Sequence, residues 1–170
     1  MAILRRNAES DNPVAMCQLG DAYKAGDLKL VPSHKKAARL YQRAADLGDV
    51  EAMNCLGILY LNGRGVKLDK KKAVKYYRMA ADCGHAHAQF NIGLCFEDGI
   101  RVAQDYAEAA RFFKLAAEQG DTNAEHNLGV MYLKSLGVAC DTAEAIRWFE
   151  RAAAKGNKKA KKALAEIRSL

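Results

Sequence analysis

A recurrence of 36 residues constrains this chain more than any other feature. The signal Ala-Ala-x-x-Gly stands at 44–48, 80–84, 116–120 and 152–156, spaced by 36 residues each time. A Leu-Gly or Ile-Gly pair falls earlier in each unit, at 19–20, 56–57, 92–93 and 128–129, spaced by 37, 36 and 36. Periods of this length belong to stacked supersecondary units, none of which buries its apolar face alone. The core must therefore form between successive copies rather than around one centre.

Each copy has the same internal order. A helical segment runs from Ala15, Ala52, Ala88 or Ala124 to an aromatic residue, Tyr23, Tyr60, Phe96 or Tyr132. After a loop, a second segment carries an alanine, a pair of large residues and the Ala-Ala signal. The large pairs are Leu40/Tyr41, Tyr76/Tyr77, Phe112/Phe113 and Trp148/Phe149. Spacings of three, four and seven put these positions on one helical face, which reads as core. Asp105 with Glu108 and Asp141 with Glu144 have capping-box spacing, and Asp69 and Ser33 share their column. Gly48, Gly84, Gly120 and Gly156 stand where a helix end calls for a left-handed residue. Only Pro13 and Pro32 interrupt an alanine-rich chain of 170 residues, half of them hydrophobic and 28% charged. That balance suits a folded helical protein.

The unit AMNCLGILYLNGRGVKLDKKKAVKYYRMAADCG and its three siblings resemble the Sel-1-like repeat, a relative of the tetratricopeptide repeat. The resemblance implies an all-α fold, a right-handed α/α superhelix (solenoid) of about four helix-turn-helix repeats with a C-terminal capping helix. Residues 1–170 then read as a single solenoid with repeats at 15–51, 52–87, 88–123 and 124–159. Residues 1–12 read as a partial preceding repeat, because Ile3 and Leu4 fall in the large-pair column and Asn7 and Ala8 in the Ala-Ala column. Residues 158–170 form the capping helix, with Ala160, Ala163, Leu164 and Ile167 on one face and lysines on the other. The first repeat departs most: AGDLKLVPSHKKA is one residue longer and lacks the G-x-G-V loop. For function, the resemblance implies an adaptor in multiprotein assemblies.

Several stretches imitate catalytic or ligand sites. NGRGVKLDKKKAVKYY, residues 62–77, has glycines and lysines ahead of a helix, as a phosphate-binding loop does. Its siblings DGIRVAQD and KSLGVACD keep one glycine, the valine and the capping aspartate but lose nearly all the lysines, so the stretch reads as a turn. Ser33-x-x-Lys36 and Ser10-Asp11-Asn12 imitate serine β-lactamase signatures. Their order is reversed, no K-T-G exists, and Ser33 sits in an N-cap column. His85 and His87 near Cys83 suggest a metal, yet their columns hold Asp49/Glu51 and Asp121/Asn123, which are turn and first-turn positions. His34 and His126 are isolated. The expectation is no catalytic, cofactor or metal site and no enzyme; a secreted ligand-binding or hydrolase-like repeat protein stands as a rival.

Charge is unevenly spread. The net balance is +7, and residues 52–87 carry seven Lys/Arg against two acids. Lys71, Lys75 and Arg78 share one helical face, and residues 155–170 add six Lys/Arg against one acid. This is a solvated outer face or a surface for an acidic protein, nucleic acid or membrane. Without interleaved exposed aromatics, nucleic acid is the weaker candidate. Five cysteines, an odd number without metal-ligand spacing, read as reduced packing residues of an intracellular, cytoplasmic protein. No apolar run reaches the length of a membrane helix, and MAILRRNAESD does not read as a signal peptide.

The candidate interaction surface comes from the first helices. Their alanine, leucine, glycine and aromatic columns cluster on one side at about 100° per residue. Opposite them fall the third position (Gln18, Cys55, Asn91, Asn127) and the sixth (Asp21, Ile58, Leu94, Val130). An apolar column beside an amide column along a concave groove would hold a peptide segment or partner helix from another protein. The alternative is that neighbouring repeats bury Ile58, Leu94 and Val130 while the amides brace adjacent helices.

Overall fold

The computed structural model of the chain describes residues 2–169. Among the described residues every regular element is an α-helix. In chain order these are α1 (Ala2–Glu9), α2 (Pro13–Ala25), α3 (His34–Asp46), α4 (Val50–Asn62), α5 (Lys70–Asp82), α6 (Ala86–Asp98), α7 (Tyr106–Glu118), α8 (Thr122–Lys134), α9 (Thr142–Ala154) and α10 (Lys158–Arg168). Helices α2 to α9 pair into four hairpins, as the resemblance implies.

Short-range chemistry sets where these helices begin and end. Ser33, Asp69, Asp105 and Asp141 cap α3, α5, α7 and α9, each side-chain oxygen accepting a first-turn backbone N–H. Asn12, Asp49, Asp121 and Asn157 do the same for α2, α4, α8 and α10. Past the second helices, Gly48, Gly84, Gly120 and Gly156 turn the chain at φ of 90°, 83°, 91° and 92°.

A second glycine column decides how each hairpin closes. Glycine inside a helix costs about 1 kcal/mol relative to alanine, yet Gly20, Gly57, Gly93 and Gly129 stand in mid-helix. The cause is the aromatic ring opposite. A Cβ on Gly20 would lie 2.6 Å from Tyr41, and one on Gly93 or Gly129 would lie 2.7 Å from Phe113 or Phe149. One on Gly57 would overlap Tyr77. These four rings are buried against bare helix backbone.

The large pairs therefore have divided roles. The second member fills the hairpin, whereas in the second and third repeats the first stacks on the aromatic near the end of the first helix. Tyr76 lies parallel to Tyr60 with centroids 5.8 Å apart, and Phe112 to Phe96, also at 5.8 Å. The loop glycine has a packing cause as well. A Cβ at Gly65 would strike the backbone of His34 and Lys35, and one at Gly137 that of Tyr106 and Ala107. The stretch that imitates a phosphate loop is a turn pressed onto the start of the preceding hairpin's second helix.

The helices fall into two compact units, residues 1–85 and 86–170. Met16, Leu19, Leu56 and Leu59 join Tyr41 and Tyr77 in the first core. In the second, Leu128, Met131 and Phe113 form one cluster, while Phe149, Ala160 and Leu164 seat α10 on α9. Polar side-chain bonds brace hairpins and the turns between them within each unit. In the first, Tyr76 Oη donates to Gln42 Oε1 at 2.9 Å and His85 Nε2 meets Glu51 at 2.8 Å. In the second, His87 Nδ1 on α6 meets Asp121, the N-cap of α8, at 2.6 Å, while Gln119 donates to Gln89 at 2.7 Å inside the α6/α7 hairpin. His85 thus ties the α5–α6 turn to the start of α4, and His87 ties α6 to the capping aspartate of α8, in the turn and first-turn positions their columns predict.

Candidate protein-interaction site

In the first unit the two candidate columns do not behave alike. Gln18 and Ile58 are exposed. Asp21 is engaged inside its own hairpin, accepting from Tyr41 Oη at 2.8 Å and from Lys24 Nζ at 2.7 Å. Burial foremost holds the Tyr41 phenol well above its ordinary range, so it donates to Asp21 across any physiological pH. Cys55, third in its repeat, is buried rather than presented to a groove. Its thiol pairs with that of Cys17, and this hydrogen bond is the largest influence pushing the Cys17 thiol up. A small apolar sulfhydryl gains more there from packing than from water. On α5, Lys71, Lys75 and Arg78 are all exposed.

In the second unit the columns meet a concavity. Asn91, Leu94, Asn127 and Val130 are all half-buried. Leu94 from α6 and Asn127 from α8 line one cavity of about 380 Å³, with the Phe90 ring beside them. Its remaining wall is polar and was not singled out from sequence: Asn123 and His126 from α8, and Asn157, Lys158 and Lys159 where α10 begins. Asn91 and Val130 lie outside its lining, and Val130 packs half-buried on the cluster of α9 and α10 residues. The isolated look of His126 in sequence hid its place here. Its ring rests against Phe149 at 5.6 Å, and its buried Nδ1 has no hydrogen-bond partner. Burial first, and then the Lys159 charge, lower its imidazole below the ordinary range, keeping it neutral.

The cavity thus offers an apolar floor, amides that both donate and accept, and two ammonium groups that form no ion pair among the described residues. Such a wall can bury an aliphatic or aromatic side chain while bonding a backbone or carboxylate. No His, Cys, Asp and Glu group among the described residues is arranged to hold a metal ion. No helix among them is long and apolar enough to cross a membrane.

Hairpins of nearly constant length, closed by glycine against an aromatic ring and stacked through recurrent columns, define an α/α repeat protein of the solenoid class. The Sel1 repeat matches four times, over residues 13–49, 50–85, 86–121 and 122–157, and the chain belongs to the Sel1 repeat family. Each match begins with the first helix of its hairpin, two residues before the alanine that marks the unit in sequence. A protective antigen of uropathogenic Escherichia coli strains, described as displaying an SLR fold, is 34% identical with a TM-score of 0.90 over 96% of this chain. A Sel1 repeat protein from Oxalobacter formigenes is 33% identical with a TM-score of 0.85 over 92%. Cysteine rich protein B of Helicobacter pylori is 25% identical with a TM-score of 0.61 over 76% of this chain and 93% of its own. This chain spans 35% of the E. coli antigen and 62% of the Oxalobacter protein. No curated protein matches it. Sel1 repeats are commonly protein-interaction scaffolds and generally non-catalytic.

Proposed function

We propose that the chain is a non-enzymatic adaptor that holds a peptide segment or partner helix of another protein against the first helices of its repeats. The observation that carries this reading is the α6/α8/α10 cavity, where Leu94 and Phe90 supply an apolar floor beside Asn127 and Asn123. A bound segment would bury one side chain on Leu94 while the amides bond its backbone in both directions. Lys158 and Lys159 favour a segment with acidic residues at that end. All five cysteines are free thiols, which supports an intracellular, reducing setting.

The test is quantitative capture from cell extract with wild type and with Asn91→Ala/Asn127→Ala, each recovered protein being identified and then titrated in purified form. The expected result is a partner whose affinity falls by about tenfold or more in the double variant, with normal melting. Lys71→Gln/Lys75→Gln/Arg78→Gln serves as the contrast and should leave affinity within about threefold. If the double variant binds unchanged, or melts far lower, the groove reading fails. If the lysine variant alone collapses affinity with a steep salt slope, the partner is an anion held on α5.

A further inference from the structure

A different concavity lies between α1, α2 and α3, and its origin is visible by comparing repeats. In the second repeat Tyr60 is bounded on two sides. Lys72 Nζ sits 5.1 Å from its ring centroid, and Tyr76 stacks on it at 5.8 Å with planes 7° apart. The Tyr76 hydroxyl then donates to Gln42 on the preceding second helix. In the first repeat the counterpart ring, Tyr23, keeps its cation, Lys36 Nζ at 5.0 Å. The stacking position holds Leu40 instead of an aromatic. Where the Tyr76 ring would lie, a cavity of about 430 Å³ opens, lined by Tyr23, Leu19 and Leu40.

The rim of this cavity is cationic. Arg5 replaces the acceptor Gln42 in its column, and Lys36, Arg39 and Arg43 complete the ring against Glu9 alone. Arg43 is paired with Asp11 at 2.7 Å, whereas Arg5 and Arg39 form no ion pair among the described residues. Tyr76 needs an acceptor at its tip; here an incoming group would meet a guanidinium, so its tip or its neighbours must be anionic.

We propose that this first-repeat socket binds an aromatic side chain carried by an acidic peptide. The ring occupies the vacated stacking place on Tyr23, over Leu19 and Leu40, and flanking carboxylates pair with Arg5 and Arg39. Offset stacking on tyrosine supplies the anchor, and the cations select an acidic context over an apolar one. None of the socket residues belongs to the α6/α8/α10 cavity, so the two sites stand or fall separately.

The experiment is fluorescence anisotropy of the whole chain with fluorescein-labelled Glu-Asp-Glu-Tyr-Asp-Glu. Saturable binding is expected, weaker by about tenfold for the peptide with alanine in place of tyrosine. Leu40→Tyr refills the socket with the residue the second repeat carries, so it should melt no lower than wild type yet lose about tenfold in affinity. Arg5→Gln/Arg39→Gln changes only exposed side chains and should lose about as much, guarding against misfolding of the filled variant. Equal binding of the tyrosine and alanine peptides would show a diffuse basic surface and overturn the proposal. So would indifference to Leu40→Tyr, absence of saturable binding, or tighter binding of a labelled oligouridine to the same socket.

Discussion

Lys155 Nζ lies 2.8 Å from Glu125 Oε1 and 2.9 Å from the Gly120 carbonyl oxygen, tying the end of α9 to the turn between α7 and α8. Glu125 is completely buried, and Arg151 Nε approaches the same carboxylate at 3.0 Å. The cations are half-exposed, so their own desolvation is modest while the acid depends on both. Lys155→Ala should therefore lower stability by about 1–3 kcal/mol in urea unfolding. Adding Glu125→Gln should recover part of that loss. Additive losses would show that the two side chains are not coupled.

Gly57 and Tyr77 give a prediction of opposite sign to helix propensity. Alanine at Gly57 would gain about 1 kcal/mol in an isolated helix. In this hairpin its Cβ overlaps the Tyr77 ring, so Gly57→Ala should cost about 1–3 kcal/mol net. With Tyr77→Leu in the background, the same alanine should become neutral or stabilising. A stabilising Gly57→Ala in the wild-type chain would remove close packing as the reason for this column.

The cysteines should react in two classes. Cys83 and Cys140 are exposed, whereas Cys17, Cys55 and Cys95 are buried. Burial pushes the Cys95 thiol up to about 11, and the hydrogen bond to Cys55 followed by burial pushes Cys17 higher still. A thiol-disulfide reagent near neutral pH should label two sites quickly and the rest only on unfolding. Because the folded pKa of Cys95 is raised, its contribution to stability is full below its ordinary 9.0 and is lost as pH climbs through about 11. Reductant should leave the melting temperature unchanged. A large drop would reveal a cross-link.

Acid should act through His126. Its folded pKa is depressed below 6.5, by burial and then by Lys159, so the unfolded chain takes the proton first. Its contribution is present above that ordinary value and is lost as pH falls through it toward the folded pKa. His126→Gln should make stability less dependent on pH between about 7 and 5.5. Urea midpoints with an unchanged pH slope would exclude His126 as the titrating group.

Much of the architecture was legible from residues a few positions apart. The capping oxygens at Asp69, Asp105 and Asp141 act on N–H groups within one turn, and the Leu-Gly and Ala-Ala columns recur in register. Such signals depend on helix geometry alone, so a period and a spacing suffice to read them. The candidate site was only half legible. Leu94 and Asn127 reach a common cavity, but Val130, from the same column as Leu94, packs beside α10 instead, and Cys55, from the column of Asn127, is buried.

Reading by column treats the copies as equivalent, while packing acts on the particular pair of side chains that two different copies bring together. Glu125 with Lys155, the amide and lysine wall at the start of α10, and the gap that Leu40 leaves beside Tyr23 are all of this kind. Local hydrogen bonding and apolar periodicity dictated four glycine-closed helical hairpins. Which of their columns are covered, bonded or left open was settled only on stacking, because burial and close contact depend on side-chain volume and charge about one repeat away in the chain.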